Sequence, residues 1–96
     1  MNIFQYTKMA DDNGTQFHYS NGGSHLRVDQ SVTTIPAGAF RGRTDLTEVE
    51  LPESIQSIGG YAFCGCRSLR LVHLREGLLT IGERAFAGCT QLDRIV

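Results

Sequence analysis

A short triplet of alternating apolar and polar residues returns three times along the chain, as Leu26-Arg27-Val28, Val49-Glu50-Leu51 and Val72-His73-Leu74. A two-residue period predicts a strand with one face buried. The triplets stand 23 residues apart, and Ile95 continues their first column. The same step relates Val32, Ile55 and Leu78, then Ile35, Ile58 and Ile81, then Leu46, Leu69 and Leu92. Ala39-Phe40 returns as Ala62-Phe63 and Ala85-Phe86, and Gly42 as Gly65 and Gly88. One period shared by every apolar column predicts a solenoid, in which each turn buries its hydrophobic side against the next. The register holds from about Ser24 to Val96, which gives three nearly complete turns and a closing strand.

Stacked turns bring equivalent strands to about 4.8 Å, so the triplets are expected to pair in parallel along the solenoid axis. Between them, Ile58 to Cys66 and Ile81 to Cys89 mix short apolar runs with glycines and leave no room for a long helix. A tight corner with about one helical turn is the expectation there.

The pattern Leu69-x-x-Val72-x-Leu74, followed by Leu78, Ile81-Gly82, Ala85-Phe86, Gly88-Cys89 and Leu92, resembles the leucine-rich repeats of the BspA type, also called the Treponema pallidum type. The likeness covers residues 24–96. The stretches Ile35 to Phe40 and Glu76 to Phe86 are similar to versions of these repeats in microbial eukaryotes such as diatoms. The resemblance implies a β-rich solenoid, a right-handed leucine-rich-repeat coil with 23-residue turns and a parallel concave sheet. It further implies binding of proteins or surfaces, with no activity of its own. Two departures stand out: Arg43 takes the place of Cys66 and Cys89, and Pro36-Ala37 replaces the Gly that follows Ile58 and Ile81. Both suit a first turn whose outer side is exposed.

Ninety-six residues allow one domain, and the 41% apolar content supplies a thin core but no membrane span. Eight Arg face eight Asp and Glu within residues 24–96, so no basic stripe is present and nucleic acid is not an expected partner. Residues 1–23 fall outside the repeat and carry turn signals at Asn13-Gly14 and Ser20-Asn21-Gly22-Gly23. They are read as an N-terminal tail and candidate cap, with residues 24–96 as the solenoid. Ile3, Phe4, Tyr6, Met9, Phe17 and Tyr19 are candidates to cover the first turn, with Phe17-His18-Tyr19 as an extra strand. For residues 1–14 an adaptable tail is an equal alternative. The start lacks a charged segment followed by an apolar run, which favours an intracellular location.

Cys64, Cys66 and Cys89 admit three readings: small core residues, a Cys66–Cys89 disulfide, or a metal site. A closed zinc site asks for four ligands, and Cys-x-Cys without clustered histidines offers too few. The family habit of a cysteine in this column points to core residues. His18, His25 and His73 are scattered along the chain, and no nucleophile stands beside an oriented base, so neither catalysis nor a cofactor is expected. Gly22-Gly23 and Gly59-Gly60 lack the Lys-Ser/Thr and the long helix of a phosphate loop.

Two function classes remain. In the first, the chain is a non-catalytic structural or interaction subunit that docks in a larger multisubunit complex through its tail and its last strand, Arg94-Ile95-Val96, with end-to-end stacking as one form. An edge strand with unpaired backbone groups invites such pairing, and its place in a longer repeat array is the alternative expectation. A proline at Arg94 is expected to block it while sparing the fold. In the second, a free-standing module recognises a protein ligand on the concave face, through His25, Arg27, Asp29, Glu48, Glu50, Leu71, His73, Arg75 and Arg94. Cross-strand pairing of Arg27 with Glu50 is expected on that face.

Overall fold

The computed structural model describes residues 17–96. The expected cap residues Ile3, Phe4, Tyr6 and Met9 lie outside that range. Eight strands follow one another: β1 (Phe17–Ser20), β2 (His25–Val28), β3 (Thr34–Ile35), β4 (Glu48–Glu50), β5 (Ser57–Ile58), β6 (Leu71–His73), β7 (Thr80–Ile81) and β8 (Arg94–Ile95). They form a five-stranded sheet in the order β1-β2-β4-β6-β8 and a three-stranded sheet in the order β3-β5-β7. Leu26 pairs with Val49, Val49 with Val72 and Val72 with Ile95, all in parallel, so the 23-residue register of the sequence is the register of the ladder. The second sheet, pairing Ile35 with Ile58 and Ile58 with Ile81, is an addition to the sequence reading, whose two-residue strands are too short to show a period.

The corners correct one expectation. No helical turn forms between Gly59 and Cys66, where Ala62, Cys64 and Cys66 donate three residues back to Gly59, Tyr61 and Phe63, as Ala39, Arg41 and Arg43 do to Pro36, Gly38 and Phe40 in the turn before. The alternate amides of Gly38, Phe40 and Gly42 donate forward to Gly60, Ala62 and Cys64 of the following turn. A left-handed residue in each corner, Gly38, Tyr61 and Arg84 with φ between 57° and 68°, breaks helical propagation and frees these amides. The corner is therefore a third hydrogen-bonded side of the coil.

Inside, the columns read from sequence become the core. Leu26, Ile35, Phe40, Leu46, Val49, Ile58, Phe63, Leu69 and Val72 are fully or almost fully buried. The rings of Phe40 and Phe63 stack at 5.3 Å between centroids, and those of Phe63 and Phe86 stack at 5.3 Å. Phe17 closes the column edge-on at 5.1 Å from Phe40. It arrives there on β1, which runs antiparallel to β2 with Phe17 opposite Val28.

Turn stacking also explains the glycine after each corner isoleucine. A Cβ on Gly59 would lie 2.4 Å from the Ala37 nitrogen, and one on Gly82 the same distance from the Gly60 nitrogen. Pro36 holds this place in the first turn and is exposed, as expected for a residue with no turn beneath it. The other departure is different. Arg43 is only 4% exposed, because β1 covers that side of the first turn. Its guanidinium makes a two-pronged bond to Asp45 at 2.7 and 2.8 Å, reaches the Tyr19 hydroxyl at 3.3 Å and the Gly23 carbonyl at 3.4 Å, and lies over the Tyr19 ring. Burial works against its charge, but the bonds to Asp45 and Tyr19 outweigh it and raise its pKa. The same bonds hold the Asp45 carboxyl below its usual range.

Candidate functional site

Two surfaces carry the residues singled out from sequence: the last strand, and the solvent face of the five-stranded sheet. At the last turn the columns that are buried elsewhere become open. Ile81 is 49% exposed where Ile35 and Ile58 are at most 1%, and Ile95 is 52% exposed where Val49 and Val72 are 0%. With Leu79 at 76% and Val96 at 53%, these are the large exposed hydrophobic side chains of the described residues.

Backbone direction at this edge corrects the expectation for Arg94. The amides of Arg94 and Val96 donate inward to Arg70 and Val72, and the Val96 carbonyl accepts from Leu74. Alternation along a parallel strand then turns the N–H and C=O of Ile95 outward. A proline at Arg94 removes a bond of the fold itself. The outward amide belongs to Ile95.

On the sheet face, alternation points Glu48 and Glu50 of β4 to the same side. His25 of β2 lies opposite Glu48, and His73 of β6 opposite Glu50. The pairing is nonetheless diagonal. His73 Nε2 bonds Glu48 Oε2 at 2.8 Å, while His25 Nε2 lies 3.4 Å from Glu50 Oε2 and 3.8 Å from Glu48 Oε2. Histidines that looked scattered in the sequence thus converge on one strand, and the signal that reveals them is the column arithmetic applied to outward positions. Arg27 is opposite Glu50 in register, yet Glu50 pairs with His25 and the expected Arg27–Glu50 ion pair does not form. Arg75 sits past β6 and donates to the Leu51 carbonyl at 3.0 Å. Asp29 accepts from the Ser31 amide, which holds its carboxyl below the usual range, and stands 3.5 Å from His18. Leu71 is half-buried on β6, and Arg94 is exposed on β8.

The three cysteines are free thiols. Cys66 donates to the Phe40 carbonyl at 3.2 Å and Cys89 to the Phe63 carbonyl at 3.1 Å, each one turn back. Burial, with Cys89 adding to it, pushes the Cys66 thiol up to about 12. Burial raises Cys89 as well.

Residues 13–96 match the BspA type leucine-rich repeat region, in six copies. The chain belongs to the BspA-type leucine-rich repeat family. A leucine-rich repeat protein from Bacteroides ovatus ATCC 8483, solved as a crystal structure at 1.19 Å, is similar in fold with a TM-score of 0.60 and 21% identity. The match covers 83% of this chain and 27% of that one, so this BspA-type chain spans about a quarter of that protein's length. No curated protein matches the chain at a significant level. Repeats of this family are typically interaction modules rather than enzymes, and no helix of the described residues is long and apolar enough to cross a membrane.

Proposed function

We propose that this BspA-type chain is a non-catalytic interaction subunit that docks on another polypeptide through β8 and the open end of its core. The observation that carries the reading is the exposure of Ile81 and Ile95, in columns that are otherwise sealed, beside an outward-facing Ile95 backbone. An added strand satisfies that backbone and covers Ile95 and Val96, while the body that carries it covers Leu79 and Ile81 at the edge of the other sheet. In a solution of the pure chain the available occupant is a second copy. Two β8 strands related by a two-fold axis pair antiparallel, with Ile95 facing Ile95, and close as a dimer rather than a filament.

A second reading, recognition of a protein ligand on the sheet face through Arg27, Glu48, Glu50, His73 and Arg75, is supported by the convergence of His25 and His73 on Glu48. Sedimentation velocity separates the two. Docking through β8 is expected to give self-association at micromolar concentration that Leu79→Glu and Ile95→Pro abolish while the melting curve is retained. Association lost on changing Glu50 and His73, and not on changing Ile95, favours the sheet face instead.

A further inference from the structure

The cluster around Glu48 gathers an imidazole nitrogen and two carboxylates, a donor set that suits a cation. His25, Glu48 and Glu50 each place a ligand-type atom within 4.8 Å of the other two. The carboxylates stand two residues apart on one face of one strand, where their like charges repel. Arg27, which lies opposite Glu50, does not pair with it.

We propose that His25, Glu48 and Glu50 bind a divalent cation of the zinc class on the solvent face of the five-stranded sheet, with His73 as the residue that positions Glu48. The spacings fit. Tetrahedral ligands on zinc bonds of about 2.0–2.1 Å lie roughly 3.3 Å apart. The His25 nitrogen is 3.4 Å from Glu50 Oε2 and 3.8 Å from Glu48 Oε2, which are ligand-to-ligand separations rather than hydrogen bonds. His73 stands differently. At 2.8 Å its Nε2–H donates to Glu48 Oε2, the outer bond that commonly fixes a ligating carboxylate.

The scaffold suits the role as well. All four side chains rise from neighbouring strands of one sheet and are two-thirds or more buried, so the cation asks for small rotations and no backbone movement. Three protein ligands leave a fourth position, open to water or to a group on a bound partner. The imidazole nitrogen sets the class of ion, since calcium and magnesium take oxygen ligands while mixed nitrogen and oxygen donors suit zinc, cobalt and nickel. The three thiols stand apart from this face; Cys66 and Cys89 donate to carbonyls of the corner stack.

Zinc is titrated by calorimetry into the full, tag-free chain and into the Glu48→Gln/Glu50→Gln variant, with calcium and magnesium in parallel. The native chain is expected to bind one zinc ion and neither of the others, and the double variant to bind at least about tenfold more weakly. His73→Gln is expected to weaken zinc by about tenfold without changing the stoichiometry. Cobalt is the second readout: ligation by nitrogen and oxygen gives weak visible bands with no intense near-ultraviolet thiolate band. The single variant Glu50→Gln, checked by its melting curve, replaces the double variant if the latter does not fold. Absence of zinc binding, equal binding by the carboxamide variants, calcium binding as tight as zinc, or a thiolate band on cobalt each overturns the proposal.

Discussion

Phe63→Ala strikes the centre of the solenoid. The side chain has no solvent exposure and stacks at 5.3 Å on Phe40 below and on Phe86 above. Truncation removes the transfer free energy of a buried ring and leaves a cavity walled by two other rings that the sheets hold apart, which costs about 3–5 kcal/mol. Each aromatic pair adds roughly 0.5–1.5 kcal/mol beyond burial, part of which is already inside that range. Domains of this size are stable by about 5–15 kcal/mol, so the variant stands close to unfolding at room temperature. At ~4–8 °C per kcal/mol, the midpoint falls by roughly 12–40 °C. Phe86 is the internal control, since it is only partly buried and stacks on one ring. Phe86→Ala is expected to cost about half as much. Urea unfolding followed by circular dichroism measures both. A loss below about 1 kcal/mol for Phe63→Ala, or a loss for Phe86→Ala that equals it, refutes the stacked column as the spine of the core.

Other expectations concern the cap, the corner and the thiols. The Asp45 carboxyl is held below its usual range by Arg43, so it stabilises the fold fully above its unfolded value of 3.8 and loses that contribution as pH falls through the lower folded value. Asp45→Asn is expected to lower the melting temperature at pH 7 and to make the acid side of the stability profile shallower; an unchanged profile contradicts the Arg43–Asp45 lock. Arg84→Gly relieves a left-handed residue, φ 57°, worth about 1–2 kcal/mol, against a glycine cost of roughly 0.5–1 kcal/mol. A gain of up to about 1 kcal/mol in urea unfolding is expected, because the Arg84–Glu83 pair is exposed and contributes little. Cys66, with its thiol pushed up to about 12, is expected to resist iodoacetamide at pH 8 until the chain is unfolded, and mass spectrometry of the native protein reads this directly.

Every apolar column was legible in the sequence because a stacked turn needs an equivalent residue one turn away; Leu26, Val49, Val72 and Ile95 pair in the register their spacing gives. Arg43 was not, since its partners Tyr19 and Gly23 lie outside the repeat, where no column predicts a contact. The corner's short apolar runs and glycines suit a single helical turn as well as the observed form, and the left-handed Tyr61 and Arg84 carry no composition signal. At the candidate surfaces, Glu48, Glu50 and His73 were placed on one face by alternation, but the diagonal choice of His25 over Arg27 depends on rotamers. The direction of the Arg94 amide depends on which residues of β8 face β6, a parity that the apolar pattern does not set.

Sedimentation velocity of the native chain across the micromolar range, beside Ile95→Pro and Leu79→Glu, tests the docking of β8 most directly. Concentration-dependent association in the native chain, and monomers of unchanged melting temperature in both variants, is the expected result. A native chain that stays monomeric and monodisperse throughout contradicts it, and so does association that survives in both variants.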